Sequence, residues 1–287
     1  MEINAFNIIL HLCIGLGIGI FSSLSGTGGG VLKVPVFEMI LLMDITVAQG
    51  TSTLVIFVSS IFIIFAYAKQ KRIDYKSGLI IVVFSAPMAI LGVLVSNSIA
   101  SGFITGKLIL TIIFYIFLVY VGIRMLVKKI SINNHDENGD IIPFEGKFAI
   151  TRKMVDRDGV CFEHSYKIAK VVPLSLLAGF VSGFFGIGGG AVQVPLLHNV
   201  CGMGIHVSVA TSGFIIFFNS IVGTISRLSL GQIDLFVGLI YTIAEIVGAF
   251  VGAKIAKGTS RPKLKKTFSI MLLAIAAYKI MTLVFGF

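Results

Sequence analysis

Charge is scarce in this chain. Asp, Glu, Lys and Arg together make up 13% of its 287 residues, while 56% are hydrophobic. A soluble domain carries about twice that share of charge, and a water-facing globule of this size cannot hide so much apolar surface. Acid is scarcer still: 13 Asp and Glu stand against 23 Lys and Arg, a formal charge of +10. In a soluble protein that excess would point to nucleic acid. In a chain this apolar the basic residues belong in loops beside a membrane, and nucleic acid is not an expected partner. Three cysteines, Cys13, Cys161 and Cys201, form no disulfide framework and no metal site. The start of the chain, MEINAFNIIL, has no basic region or small-residue cleavage site, so the first apolar segment reads as a retained helix. The apolar segments contain no His/Asp/Glu cluster and no Ser-His arrangement with catalytic spacing. An enzyme is not expected, nor is a cofactor or a metal.

What is present is a series of apolar runs. Ile3–Leu24, Leu54–Ala68, Gly78–Val95, Leu108–Val127, Ile168–Phe185, Leu235–Ala253 and Phe268–Phe287 approach the roughly 20 residues that cross a bilayer as a helix. The chain reads as an all-α polytopic membrane protein.

It also contains one unit twice. Shifted by 160 residues, Gly26–Gly30 (GTGGG) falls on Gly186–Gly190 (GIGGG) without a gap. Val34-Pro35 falls on Val194-Pro195, Thr51-Ser52 on Thr211-Ser212, and Ile73-Asp74 on Ile233-Asp234. About a third of the positions from Leu16 to Gly92 are identical in the two copies. Each half reads as five hydrophobic segments, the second one short. An odd number predicts that the second copy enters the membrane the opposite way up.

Charge bears on that inversion. The loop Lys69–Lys76 holds four Lys/Arg and its counterpart Ser229–Phe236 none. Conversely, Ser96–Lys107 holds one, whereas Ala256–Thr267 is dense with them. Basic loops lie in the cytoplasm, so the bias swaps between halves. The expected organisation is an N-terminal repeat (residues 1–128), a cytoplasmic linker (129–167) and an inverted C-terminal repeat (168–287), with both termini outside the cytoplasmic membrane. The linker is polar, mixes both charges and reads as a solvated connector.

The short second segments, Val31–Met43 and Ala191–Met203, are too short for a full span at 1.5 Å per residue. Each follows a glycine cluster. Matched short segments of this kind in inverted repeats point to a transporter's binding site, so two re-entrant helical hairpins with tips near the midplane are expected. A helix beginning just after GTGGG offers free N–H groups and a partial positive charge, and an anion would satisfy both. The competing explanation is close helix packing by small residues, which suits Gly15, Gly19, Gly248 and Gly252 better than three consecutive glycines in both halves. A nucleotide loop does not fit: no Gly-Lys-Ser/Thr follows, and GIGGGA lacks a βαβ context.

The duplicated G-x-G-G-G-x-x-x-V-P element, each copy followed by a Thr-Ser pair and an Ile-Asp pair, resembles the TauE/SafE sulfite exporter family, also called the toluene-sulfonate uptake permease family. The resemblance covers nearly the whole chain outside the linker. It implies transport of a small sulfur-containing anion such as sulfite, a sulfonate or a related organosulfur acid.

On these grounds the substrate-binding candidates are Ser25, Thr27, Gly28, Gly29, Gly30, Lys33, Thr51 and Ser52, with Gly188, Gly189, Gly190, Gln193, Thr211 and Ser212 in the second half. The Thr-Ser pairs have two readings, as anion ligands or as helix caps. Asp74 and Asp234 read as N-caps. Lys33 is placed to neutralise an anion, to pair with an acid or to snorkel. Glu245, a charge within an apolar run, is a functional suspect by default. It is the candidate for a coupling ion, proton or sodium, or else pairs with Lys33 or Arg227. With no nucleotide motif, an ion gradient or the membrane potential would drive a secondary transporter; a passive anion channel is the alternative.

Overall fold

In the computed structural model the described residues are 5–25, 28–102, 105–127, 149–157, 159–255 and 261–285. Five helices come first: α1 (Ala5–Ser25), α2 (Gly30–Met39), α3 (Ile45–Lys69), α4 (Tyr75–Gly102) and α5 (Gly106–Val127). A hairpin of β1 (Ala149–Val155) and β2 (Cys161–Lys167) follows, then α6 (Ile168–Phe185), α7 (Gly190–Asn199), α8 (Ile205–Ser229), α9 (Leu235–Ile255) and α10 (Arg261–Phe285). Among the described residues α3, α4, α5, α6, α8 and α9 are long and apolar enough to cross a bilayer, with shorter apolar stretches in α1 and α10. Leu79, Val83, Leu94, Ile112, Ile116 and Leu239 stay exposed on the outside. Such a surface suits lipid, where only a helix satisfies its own backbone. The chain is an all-α polytopic membrane protein.

Packing follows the 160-residue offset. α1 lies along α9 as α6 lies along α4, α3 meets α9 as α8 meets α4, and α3 and α8 meet each other. Each half's first helix therefore rests on the other half's fourth. Glycine makes these approaches possible: a Cβ at Gly19 would strike the Glu245 backbone, and one at Gly179 the Ser85 backbone. Even turns without glycine repeat. Leu42 has φ 51° where the second half has Gly202 at 67°, and Lys71 has 54° where it has Gly231 at 66°.

The short helices are shorter than expected, 10 residues each, because these turns end them early. Met43 N–H then bonds back to Phe37 O and Met203 N–H to Leu197 O. Pro35 and Pro195 lie inside them and supply no N–H to the carbonyl four residues before.

The offset fails in two places. α5 and α10 pack on each other and reach α2, forming one core of Val31, Val34, Phe37, Leu110, Phe114, Leu118, Leu272 and Ala276. α7 instead shares a core with the hairpin, where Tyr166 meets Leu196, Leu197, Cys201 and Met203.

The expected solvated connector is therefore corrected over part of its length. Residues 149–167 form an antiparallel hairpin in which Ala149 faces Lys167 and Val155 faces Cys161. Its second strand is only partly solvated: His164, Ser165 and Tyr166 are buried. The earlier part of the linker lies outside the described residues.

Candidate functional site

The two glycine turns reverse the chain with Gly28 and Gly29 at φ 73° and 66°, and Gly188 and Gly189 at 71° and 81°, a region open to glycine without steric cost. The turns meet. A Cβ at either Gly28 or Gly188 would touch both Ile56 and Ile216, and one at Gly30 would lie 2.5 Å from the Ile187 carbonyl oxygen. Gly29 O accepts from the N–H groups of Leu32 and Lys33, and Gly189 O from those of Val192 and Gln193. The first N–H groups of both helices, at Gly30 and Val31 and at Gly190 and Ala191, stand outside that ladder. Neither helix has a side-chain cap.

Lys33 turns back beside the first of these turns. Its ammonium donates to Gly28 O at 3.0 Å and to both oxygens of Glu245, at 2.9 and 2.6 Å. Ser59 Oγ adds a longer contact to Glu245 Oε1, 3.4 Å. Lysine and glutamate are both fully buried. Of the roles open to Lys33, the structure places it in an ion pair that uses all three of its donors. Glu38, in the same helix, has separate partners: Tyr115 Oη at 3.0 Å, Thr111 Oγ1 at 3.3 Å and Lys279 Nζ at 3.2 Å.

The threonines of the two Thr-Ser pairs bond across to the other half. Thr51 Oγ1 accepts the backbone N–H of Asp234 at 3.0 Å, and Thr211 Oγ1 accepts that of Asp74 at 3.0 Å. Each half thus ties down the start of the other half's fourth helix. Asp74 and Asp234 cap those helices by accepting from Ser77 N–H and Val237 N–H. Ser52 is buried, and Ser212 Oγ donates to Val209 O. Gln193 is buried beside Gly189. Ser25 ends α1, and its side chain, like all of Thr27, lies outside the described residues.

Two features escaped the reading of the sequence. Arg227 is fully buried away from Glu245, and its guanidinium donates to Gln49 Oε1 (2.8 Å), Gln232 Oε1 (3.0 Å) and the carbonyls of Gly183, Phe184 and Thr46. It therefore staples the end of α6 to the start of α3. A lone charge among small polar and apolar residues was the available signal. The other is the seat of the hairpin. His164 Nε2 lies 3.0 Å from Asp74 Oδ2, Arg152 Nη2 3.4 Å from Oδ1, and Tyr166 Oη donates to Ser77 Oγ at 2.7 Å. Arg72 pairs with Asp156 alongside, 2.9 Å. Burial alone would push the Asp74 carboxyl up. Hydrogen bonds from His164 and Ser77 outweigh it and hold the group down at about 2. The signal was alternation, with Phe162, His164 and Tyr166 on one face of a strand.

Comparison with known proteins agrees with this architecture. The description "Sulfite exporter TauE/SafE" matches residues 11–279. The "Probable membrane transporter protein YunE" of Bacillus subtilis is 31% identical over 272 residues, 92% of each chain. The "Probable membrane transporter protein MJ0441" of Methanocaldococcus jannaschii is 31% identical over 278 residues, 92% of this chain and 91% of that one. The "Sulfite exporter TauE/SafE family protein 6" of Arabidopsis thaliana is 28% identical over 102 residues, 36% of this chain. No solved structure matches. The chain belongs to the sulfite exporter TauE/SafE family, a family of multi-pass membrane transporters and not of enzymes.

Proposed function

We propose that this protein is a secondary transporter that carries a small sulfur-containing anion, such as sulfite, a sulfonate or a related organosulfur acid, across the cytoplasmic membrane by alternating access. The observation that carries the reading is the buried Lys33–Glu245 pair set against a glycine turn, where the two halves meet. The family description supports the substrate class. In this reading the halves are inverted repeats, the linker is cytoplasmic and both termini are outside. The swap in loop charge supports that orientation.

The pair limits how an anion can use Lys33. Removing one partner from a buried ion pair leaves an uncompensated charge and is strongly unfavourable. An anion therefore takes the ammonium only as Glu245 is neutralised by a proton or a sodium ion. Anion and cation then travel together, with Lys33 held by one acid or the other throughout. The uncapped N–H groups at Gly30 and Gly190 complete the anion's surroundings.

Purified protein in liposomes tests the reading. Labelled sulfite flux should saturate, show counterflow and fall when unlabelled sulfonate or thiosulfate competes. Conductance without saturation or counterflow would make the protein a channel instead. Cysteines replacing Lys71 and Gly231 should label from opposite sides; labelling from one side would end the inversion.

A further inference from the structure

The offset that superposes the halves also superposes two polar clusters, and they are not equally complete. Lys33 of α2, Glu245 of α9 and Ser59 of α3 correspond to Gln193 of α7, Ser85 of α4 and Asn219 of α8. In the first cluster the groups satisfy one another: the ammonium has three acceptors, both carboxylate oxygens accept, and Ser59 has two partners. In the second, Ser85 Oγ donates to Asn219 Oδ1 at 2.9 Å and the pairing stops there. Among the described residues Asn219 Nδ2 has no partner, nor has either amide atom of Gln193. Gln193 is 0% and Asn219 1% exposed, so bulk water does not supply what is missing. Buried polar groups are almost always satisfied, and an unsatisfied one calls for a cause.

Resting on the transporter reading above, we infer that the substrate's binding pocket lies in the second half, between Gln193 and Asn219, and selects a sulfur oxyanion that is singly charged and keeps one O–H or N–H of its own. The Gln193 amide lies beside the second glycine turn, since a Cβ at Gly189 would come within 3.0 Å of Nε2. The N–H groups of Gly190 and Ala191 start the same helix. The pocket therefore offers several N–H donors and, in the Gln193 amide oxygen, an acceptor with no hydrogen bond among the described residues, and turning the Gln193 amide over keeps both kinds of group. The donors match the oxygens of an oxyanion, and the remaining acceptor calls for a hydrogen on the ligand. Neither Gln193, Ser85 nor Asn219 carries a charge. A second negative charge would go uncompensated there, which disfavours a dianion. Hydrogensulfite and sulfamate have the required chemistry, whereas sulfate and simple alkylsulfonates each lack part of it. Once Glu245 is neutralised, Lys33 answers the anion's one charge across the meeting of the two turns, while the uncharged groups of the second half supply the recognition.

The test uses two anions of similar size whose charge does not change near neutral pH. Sulfamate carries N–H donors and methanesulfonate carries none. Binding to purified full-length protein is followed by calorimetry, independently of transport. Sulfamate should bind at least tenfold more tightly than methanesulfonate, and sulfate should not compete. Gln193→Met and Asn219→Leu should each bring the ratio close to one while retaining a cooperative thermal transition. Equal affinities in the wild-type protein would overturn the inference whether or not the variants fold. So would a preference that survives both substitutions in folded protein. Sulfamate-selective binding without saturable flux in liposomes would leave the pocket standing and refute the transporter reading. Saturable sulfite flux without the preference would do the reverse.

Discussion

Lys33 and Glu245 are 212 residues apart in the chain and 2.6 Å apart in the fold. The lysine belongs to the short helix after the first glycine turn, and the glutamate to the fourth helix of the other half. The pair therefore joins the halves at their centre, and any motion of one half against the other must reckon with it.

A double-mutant cycle exposes that bond. Lys33→Gln alone or Glu245→Ser alone should each cost about 3–5 kcal/mol of stability, since each strands a buried charge. Together they give the first cluster the uncharged Gln and Ser of the second, and most of the loss should return. Thermal unfolding in detergent measures it. A double variant whose loss equals the sum of the two single losses would mean that the two groups do not interact.

The cross-caps give a second prediction. Thr51→Val and Thr211→Val each remove the acceptor of one backbone N–H, half-buried at Asp234 and buried at Asp74. Each should cost about 1–3 kcal/mol, and the two costs should be alike because the geometry is the same. Neither should change which anions compete for flux. A change in anion selectivity would return these threonines to the binding site.

Asp74 ties hairpin stability to pH. Its carboxyl titrates at about 2 in the folded protein against 3.8 ordinarily. The stabilisation it provides is fully present above pH 3.8 and is lost as pH falls through 2. The shift corresponds to about 2 kcal/mol. Asp74→Asn should remove it at neutral pH and expose residues 149–167 to faster hydrogen exchange. Unchanged exchange there would show that the hairpin is held by Tyr166 and its apolar contacts alone.

The meeting of the turns is tested by the smallest possible change. Gly30→Ala places a methyl group against the Ile187 backbone, whereas Gly17→Ala meets nothing within 4 Å. The first should lower the melting temperature and abolish flux, and the second should do neither.

Much of this was legible from residue order. Apolar runs locate most of the long helices, and the offset pairs the halves. α8 is the exception. It is missing from the apolar runs because Ser208, Thr211, Ser212, Asn219, Ser220 and Arg227 dilute it. Those side chains are buried among other helices, which no local pattern reveals. Lys33 and Glu245 stood out as charges in apolar surroundings, but that Glu245 takes Lys33 and leaves Arg227 to the carbonyls of α6 is a matter of packing. The packing of α5 and α10 on each other and on α2 was hidden for a similar reason, since long apolar helices do not announce which neighbours they choose. The hairpin was missed because a polar linker was read by composition. Its buried face is formed by polar residues that find partners on Asp74 and Ser77, so hydrophobicity carries little of the signal.

In the proposed cycle an anion and a neutralising cation share the Lys33–Glu245 pair. Labelled sulfite uptake into proteoliposomes under an imposed pH or sodium gradient, comparing wild type with the Lys33→Gln/Glu245→Ser double variant, measures that sharing. One of the two gradients should drive uptake above equilibrium in the wild type, and neither should in the folded double variant. Equal gradient-driven accumulation by both proteins would contradict it.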